Sequence, residues 1–95
     1  MSNLFRLYTQ NNCPYCVIMQ KKLDSWGVKY ETLNVSYDTD AKLFLKENNH
    51  RTVPQLYWDN IHLNKVDTQD FTRSIMFKEL QLHHDGSDSG VENFA

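Results

Sequence analysis

The chain has 95 residues, 40% of them apolar and 23% charged, a globular composition with room for one domain and a modest core. Ten Lys and Arg against 12 Asp and Glu leave a net charge of -2, so no basic field is present to attract nucleic acid or an anionic membrane. No apolar run approaches the roughly 18–20 residues that span a bilayer, and Met1 to Gln10 shows neither the basic start nor the small-residue cleavage site of an export signal. A cytoplasmic, reducing setting is therefore expected. Cys13 and Cys16, the only cysteines, do not make a secreted disulfide framework.

Strand and helix signals alternate along the chain. Leu4-Phe5-Arg6-Leu7-Tyr8-Thr9 reads as a short aromatic-rich strand. Pro14 suits a first helical position, and Cys16, Met19, Leu23 and Trp26 recur at helical spacing up to Gly27, a C-terminal stop. Val28 to Val35 alternates as a second strand. Asp38 can cap a second helix whose inward stripe is Ala41, Phe44 and Leu45, ending near Asn48-Asn49. Gln55-Leu56-Tyr57-Trp58 is a third strand directly after Pro54, and Asp59-Asn60 reads as a hairpin turn into Ile61-His62-Leu63. Asp67 is expected to cap a third helix carrying Phe71, Ser74-Ile75 and Lys78 to Leu82. The order βαβαββα predicts an α/β domain over 1–82, a small four-stranded mixed sheet with three helices on its faces.

Residues 83–95 are different in kind. They hold three acids, no Lys or Arg, and Gly86, Ser87, Ser89 and Gly90, so a flexible acidic tail is expected. A docking peptide ending in Phe94 is the functional alternative.

The chemistry points to Cys13-Pro14-Tyr15-Cys16. A C-x-x-C after a first strand and at the mouth of a helix is a redox arrangement. Unpaired N–H groups and the positive end of the helix dipole both favour thiolate there, bringing the pKa to roughly 3.5–7.5 from about 8.5. Cys13, just before the helix, is the attacking sulfur, and Cys16, one turn inward, resolves the mixed disulfide. Pro14 stiffens the turn between them. The same spacing supplies half of a zinc site, but His50, His62, His83 and His84 form no matching half-site, so no metal is expected. A pair of inert buried cysteines is the other bland reading.

Tyr8-Thr9 with Cys13-Pro14-Tyr15-Cys16, and Arg51-Thr52-Val53-Pro54-Gln55 further on, resemble the two signature stretches of the dithiol glutaredoxins. The resemblance runs from about Leu4 to Leu80. It implies a thioredoxin-like fold, a monomer, and glutathione as the co-substrate for reducing protein disulfides and glutathione mixed disulfides. It implies that the Val53-Pro54 bond is cis, which would expose the backbone of Val53 beside Cys13; a proline that only starts a strand is the alternative. Further implications are that Tyr15 packs beside the active sulfur, that Thr52 and Pro54 belong to the glutathione site, that Val53 supplies main-chain hydrogen bonds to the cysteinyl part of glutathione, and that Asp67 helps hold the γ-glutamyl end. Asp67 could equally be an N-cap, and Arg51 either a partner for a glutathione carboxylate or a solvated cation.

Two positions depart from the family pattern. Gln10 stands where a Lys is common, offering a hydrogen bond but no charge. Asn64-Lys65 stands where Gly-Gly is common; Asn64 tolerates a left-handed backbone, and Lys65 either replaces backbone contacts by charge or obstructs the groove. These departures bear on glutathione affinity and not on the sulfur chemistry. Two other functions fit the sequence: a thioredoxin-like electron donor to ribonucleotide reductase, and an iron–sulfur cluster module, which the stiff Pro14 loop disfavours.

Overall fold

A computed structural model describes residues 5–88, and within it the strands β1 (Phe5–Thr9), β2 (Tyr30–Asn34), β3 (Gln55–Trp58) and β4 (Ile61–His62) form one sheet in the order β2-β1-β3-β4. β1 and β2 run parallel, with Leu7 opposite Thr32, and β1 and β3 run antiparallel, with Leu7 opposite Leu56. The β3–β4 pair is antiparallel, with Tyr57 opposite His62. Among the described residues, no helix is long and apolar enough to cross a membrane.

Alternation along the central strands builds a core on both faces of the sheet. Leu7 and Leu56 join Met19 and Leu23 of α1 (Pro14–Ser25), Met76 of α3 (Arg73–Asp88), Leu63 and Phe71. Tyr8 and Tyr57 point the other way, with Ala41 and Leu45 of α2 (Thr39–Glu47). Phe44 of the same helix stacks on Tyr8 at 5.1 Å between ring centres and meets Tyr57 edge-on at 5.0 Å. The result is a three-layer α/β/α sandwich, with the expected helices and mixed sheet.

The helix boundaries follow local chemistry. Asp38 caps α2, its Oδ1 accepting the Ala41 N–H at 3.0 Å. Both α1 and α2 end in a Schellman motif: Gly27 at φ 73° and Asn49 at φ 63° take the left-handed position, and the N–H groups of Val28 and His50 return to the carbonyls of Leu23 and Leu45. β2 is shorter than the alternating run from Val28 to Val35 suggested.

The start of the third helix needs correction. Asp67 makes no side-chain cap; it precedes a 3-10 turn, Thr68–Asp70, and the chain then extends through Phe71. The helix begins only at Arg73, with Thr72 Oγ1 accepting the Ile75 N–H at 3.2 Å. The break lets Phe71 bury its whole side chain in the core, which a continuous helix from residue 68 would not position. Lys22 of α1 secures the broken segment, its Nζ donating to the carbonyls of Thr68 at 2.7 Å and Phe71 at 2.8 Å. At its other end α3 continues to Asp88, past residue 82 where the acidic tail was expected to start; residues 89–95, Phe94 included, lie outside the described residues.

Candidate active site

Cys13 is the N-cap of α1, with extended backbone angles (φ -119°, ψ 95°), and Pro14 takes the first helical position. The Cys13 carbonyl accepts the N–H groups of Cys16 and Val17 at 3.1 and 3.3 Å, and its Sγ accepts the Cys16 N–H at 3.1 Å. That second bond is the useful one. A hydrogen-bond donor and the N-terminal end of the helix dipole both stabilise negative charge on this sulfur when the pair is reduced. Here the two cysteines are joined as a disulfide. Cys13 is half-buried and Cys16 is 3% exposed, so an incoming thiol reaches Cys13 first.

The turn that delivers Cys13 is tied to the end of β2. Asn12 adopts φ 57°, and Asn11 before it donates its N–H to Ser36 Oγ at 3.0 Å and its amide to the Tyr37 hydroxyl at 2.9 Å. Asn34 donates to Asn11 Oδ1 at 3.0 Å. Gln10 is exposed; with Cys13 and Pro14 it lines a cleft of about 660 Å³.

A second groove, about 520 Å³, lies on the Val53 side, where the Val53 carbonyl oxygen is 3.9 Å from Cys13 Sγ. The Val53-Pro54 bond is cis, as the resemblance implied. Tyr15, Thr52, Val53, Pro54, Lys65 and Asp67 all line this groove. Arg51 is exposed and lines neither cavity, which separates it from the others. Tyr15 is half-exposed at the rim, its hydroxyl accepting from Gln69 Nε2 at 3.4 Å. The Lys65 ammonium lies 3.5 Å from Glu79 Oε1 of α3.

Gln55, His62, Val66, Thr68 and Gln69 also line the groove and were not among the expected site residues, and Asn64, noted in the sequence only as a departure from Gly-Gly, lines it too. Asn64 is buried and does not adopt a left-handed backbone; its Oδ1 accepts the Leu56 N–H at 2.8 Å and its Nδ2 donates to the Pro54 carbonyl at 3.0 Å. It therefore fastens the start of β3 across eight to ten residues of sequence. Burial, with the nearby positive potential of His50 and Lys65, pushes the His62 pKa down to about 4, and burial lowers that of His50 as well. Both rings are neutral near pH 7, and their centres lie 4.6 Å apart. Among the described residues, no group of three or more His, Cys, Asp or Glu side chains is placed to hold a metal ion.

A mixed sheet of this order, with a C-x-x-C disulfide at the N-terminus of the first helix, defines a thioredoxin-like protein. The glutaredoxin family model matches residues 6–63. Over 64 residues the chain is 39% identical to glutaredoxin 1 of Rickettsia felis, an alignment covering 64% of this chain and 63% of that protein. It is 31% identical over 68 residues to glutaredoxin 3 of Escherichia coli, covering 70% of this chain and 81% of the other. In fold it is similar to the buckwheat glutaredoxin–glutathione complex, with a TM-score of 0.63 at 22% identity over 85% of this chain and 79% of that one. The chain belongs to the glutaredoxin family. It spans slightly less than two thirds of the length of the Rickettsia relative.

Proposed function

We propose that the protein is a glutathione-dependent thiol–disulfide oxidoreductase that reduces protein disulfides and glutathione mixed disulfides. The observation that carries this reading is the Cys13–Cys16 disulfide at the mouth of α1, 3.9 Å from the Val53 carbonyl that begins the groove. In the forward direction the Cys13 thiolate attacks one sulfur of a substrate disulfide and expels the other as a thiolate. Cys16 then attacks Cys13 Sγ, forming the Cys13–Cys16 bond and releasing the second thiol. One glutathione thiolate attacks the accessible Cys13, forming a glutathione–Cys13 mixed disulfide and expelling Cys16 as a thiolate, which takes its proton from solvent. A second attacks the glutathione sulfur of the mixed disulfide, freeing Cys13 and leaving oxidised glutathione.

The groove suits a peptide with charged ends. Val53 supplies backbone, Tyr15 an apolar edge, Lys65 a cation for a carboxylate and Asp67 an anion for an ammonium group. The buckwheat relative's glutathione complex supports the same ligand at fold level. Disulfide-bearing proteins are the proposed partners, and a reducing compartment such as the cytoplasm is the proposed setting. Turnover of a small glutathione mixed disulfide, coupled to glutathione reductase, tests the reading. Activity with glutathione supports it. Reduction by thioredoxin reductase with no glutathione turnover would instead favour the thioredoxin-like donor, a reading consistent with the absence of Gly-Gly at 64–65.

A further inference from the structure

The groove beside Cys13 holds a chain of polar side chains that the sulfur chemistry does not use. His62 Nε2 lies 2.7 Å from Gln55 Oε1, and Gln55 Nε2 lies 3.0 Å from the Thr52 carbonyl oxygen and 3.4 Å from Thr52 Oγ1. A carbonyl oxygen only accepts, so the Gln55 nitrogen must face Thr52 and the Gln55 oxygen must face His62. That oxygen also only accepts, so His62 must carry its proton on Nε2. The pattern fixes the amide orientation and the ring tautomer together. Gln55 is 8% exposed, so a lost partner is not simply replaced by water.

The next step is peptide geometry. Val53-Pro54 is the only cis bond among the described residues, so the Thr52-Val53 peptide is trans and planar. In such a unit the C=O and N–H point to opposite sides. Holding the Thr52 carbonyl against Gln55 turns the Val53 N–H away from it, and that N–H meets no acceptor among the described residues. Asn64 holds the next part of the same loop through the Pro54 carbonyl.

The geometry points to His62 as a positioning residue: through Gln55 it sets the Thr52-Val53 peptide so that the Val53 N–H faces the groove, as a donor to the main chain of a peptide-like ligand joined by sulfur to Cys13. The choice of glutathione as that ligand rests on the function proposed above; the orientation of the peptide does not. Neutrality of the half-buried ring matters here, because a neutral imidazole has one proton and Gln55 determines which nitrogen carries it.

Two measurements test this. In steady-state turnover of a small glutathione mixed disulfide, His62→Leu raises KM about three- to tenfold with kcat within twofold, the pattern of a lost ground-state hydrogen bond. His62→Gln, whose side-chain nitrogen reaches a similar place, recovers most of that loss. Gln55→Glu, which can still accept from His62 but cannot donate to Thr52, raises KM as His62→Leu does. An unchanged KM in His62→Leu, a fall in kcat that matches the rise in KM, or a glutamine variant as impaired as the leucine one would overturn the role. Independently of activity, 15N NMR of the wild type shows His62 as the Nε2–H tautomer, and the Val53 amide signal moves in His62→Leu. The opposite tautomer, or an unmoved Val53 signal, overturns the positioning role. Absence of wild-type glutathione turnover overturns the proposed function alone. Where His62→Leu does not fold, Gln55→Glu and the wild-type tautomer carry the test.

Discussion

Cys13 and Cys16 differ in surroundings and therefore in chemistry. Cys13 is the half-buried N-cap whose sulfur receives the Cys16 N–H, whereas Cys16 is sealed behind it in the first turn. Cys13→Ser is expected to abolish disulfide exchange, and Cys16→Ser to spare much of the deglutathionylation while losing dithiol reduction of proteins. Assays of both variants on a glutathione mixed disulfide and on a protein disulfide check this; an active Cys13→Ser protein would reverse the two roles. Lys65 is the groove's cation, more than half exposed and held 3.5 Å from Glu79. Exposed charge contacts are worth about 0.2–1 kcal/mol, so Lys65→Ala should raise the glutathione KM by roughly 1.5- to fivefold, with little change in kcat and a smaller effect at high salt. A lowered KM would mean that Lys65 obstructs the groove instead. The sulfur pair was legible because its signal is local, whereas the cis Val53-Pro54 bond was legible only through the resemblance to the glutaredoxins. The roles of His62 and Asn64 were not legible, because their partners, Gln55, Leu56 and Pro54, come within reach only through the β3–β4 hairpin and the return of the chain after it.

Single side chains decide where the elements begin. Asp38 at the head of α2 was readable as a cap, and Asp38→Ala should cost about 1 kcal/mol in urea unfolding. The same rule applied to Asp67 misplaces α3. An N-cap residue type only permits a helix, and the apolar demand of Phe71 for the core, four residues on, interrupts this one. In unfolding experiments Thr72→Ala should therefore destabilise more than Asp67→Ala, since only Thr72 makes the side-chain cap. Equal losses would contradict the assignment. Asn64→Ala leaves the Leu56 N–H and the Pro54 carbonyl without their side-chain partner, a loss of about 1–3 kcal/mol for each buried group left unsatisfied. A neutral result in urea unfolding would show that the start of β3 does not depend on it.

The whole molecule joins two cores across one sheet, with the active disulfide at one end of α1 and the groove beside it. The aromatic-rich first strand, the alternation from Val28 to Val35, the helical stripes and the helix ends at Gly27 and Asn48-Asn49 made this architecture readable from the sequence. The sheet order and the packing of α3 against β4 depend on contacts that no local pattern carries. His62 gives the assembly a pH dependence. Its folded pKa, about 4, lies below the ordinary 6.5, so between these values the unfolded chain binds more protons. Stability contributed by the neutral ring is complete above about pH 6.5 and declines as pH falls toward 4; His50, also lowered by burial, acts in the same direction. Urea midpoints for the wild type and His62→Leu measured across that window should converge at the acid end. Parallel curves would contradict this. The central claim, that Cys13 is the sulfur that exchanges with glutathione, is tested most directly by mass spectrometry of the Cys16→Ser protein after exposure to oxidised glutathione. The account predicts one glutathione adduct, on Cys13, removed by added glutathione. An unmodified Cys13, with an adduct on Cys16 in the Cys13→Ser protein, would contradict it.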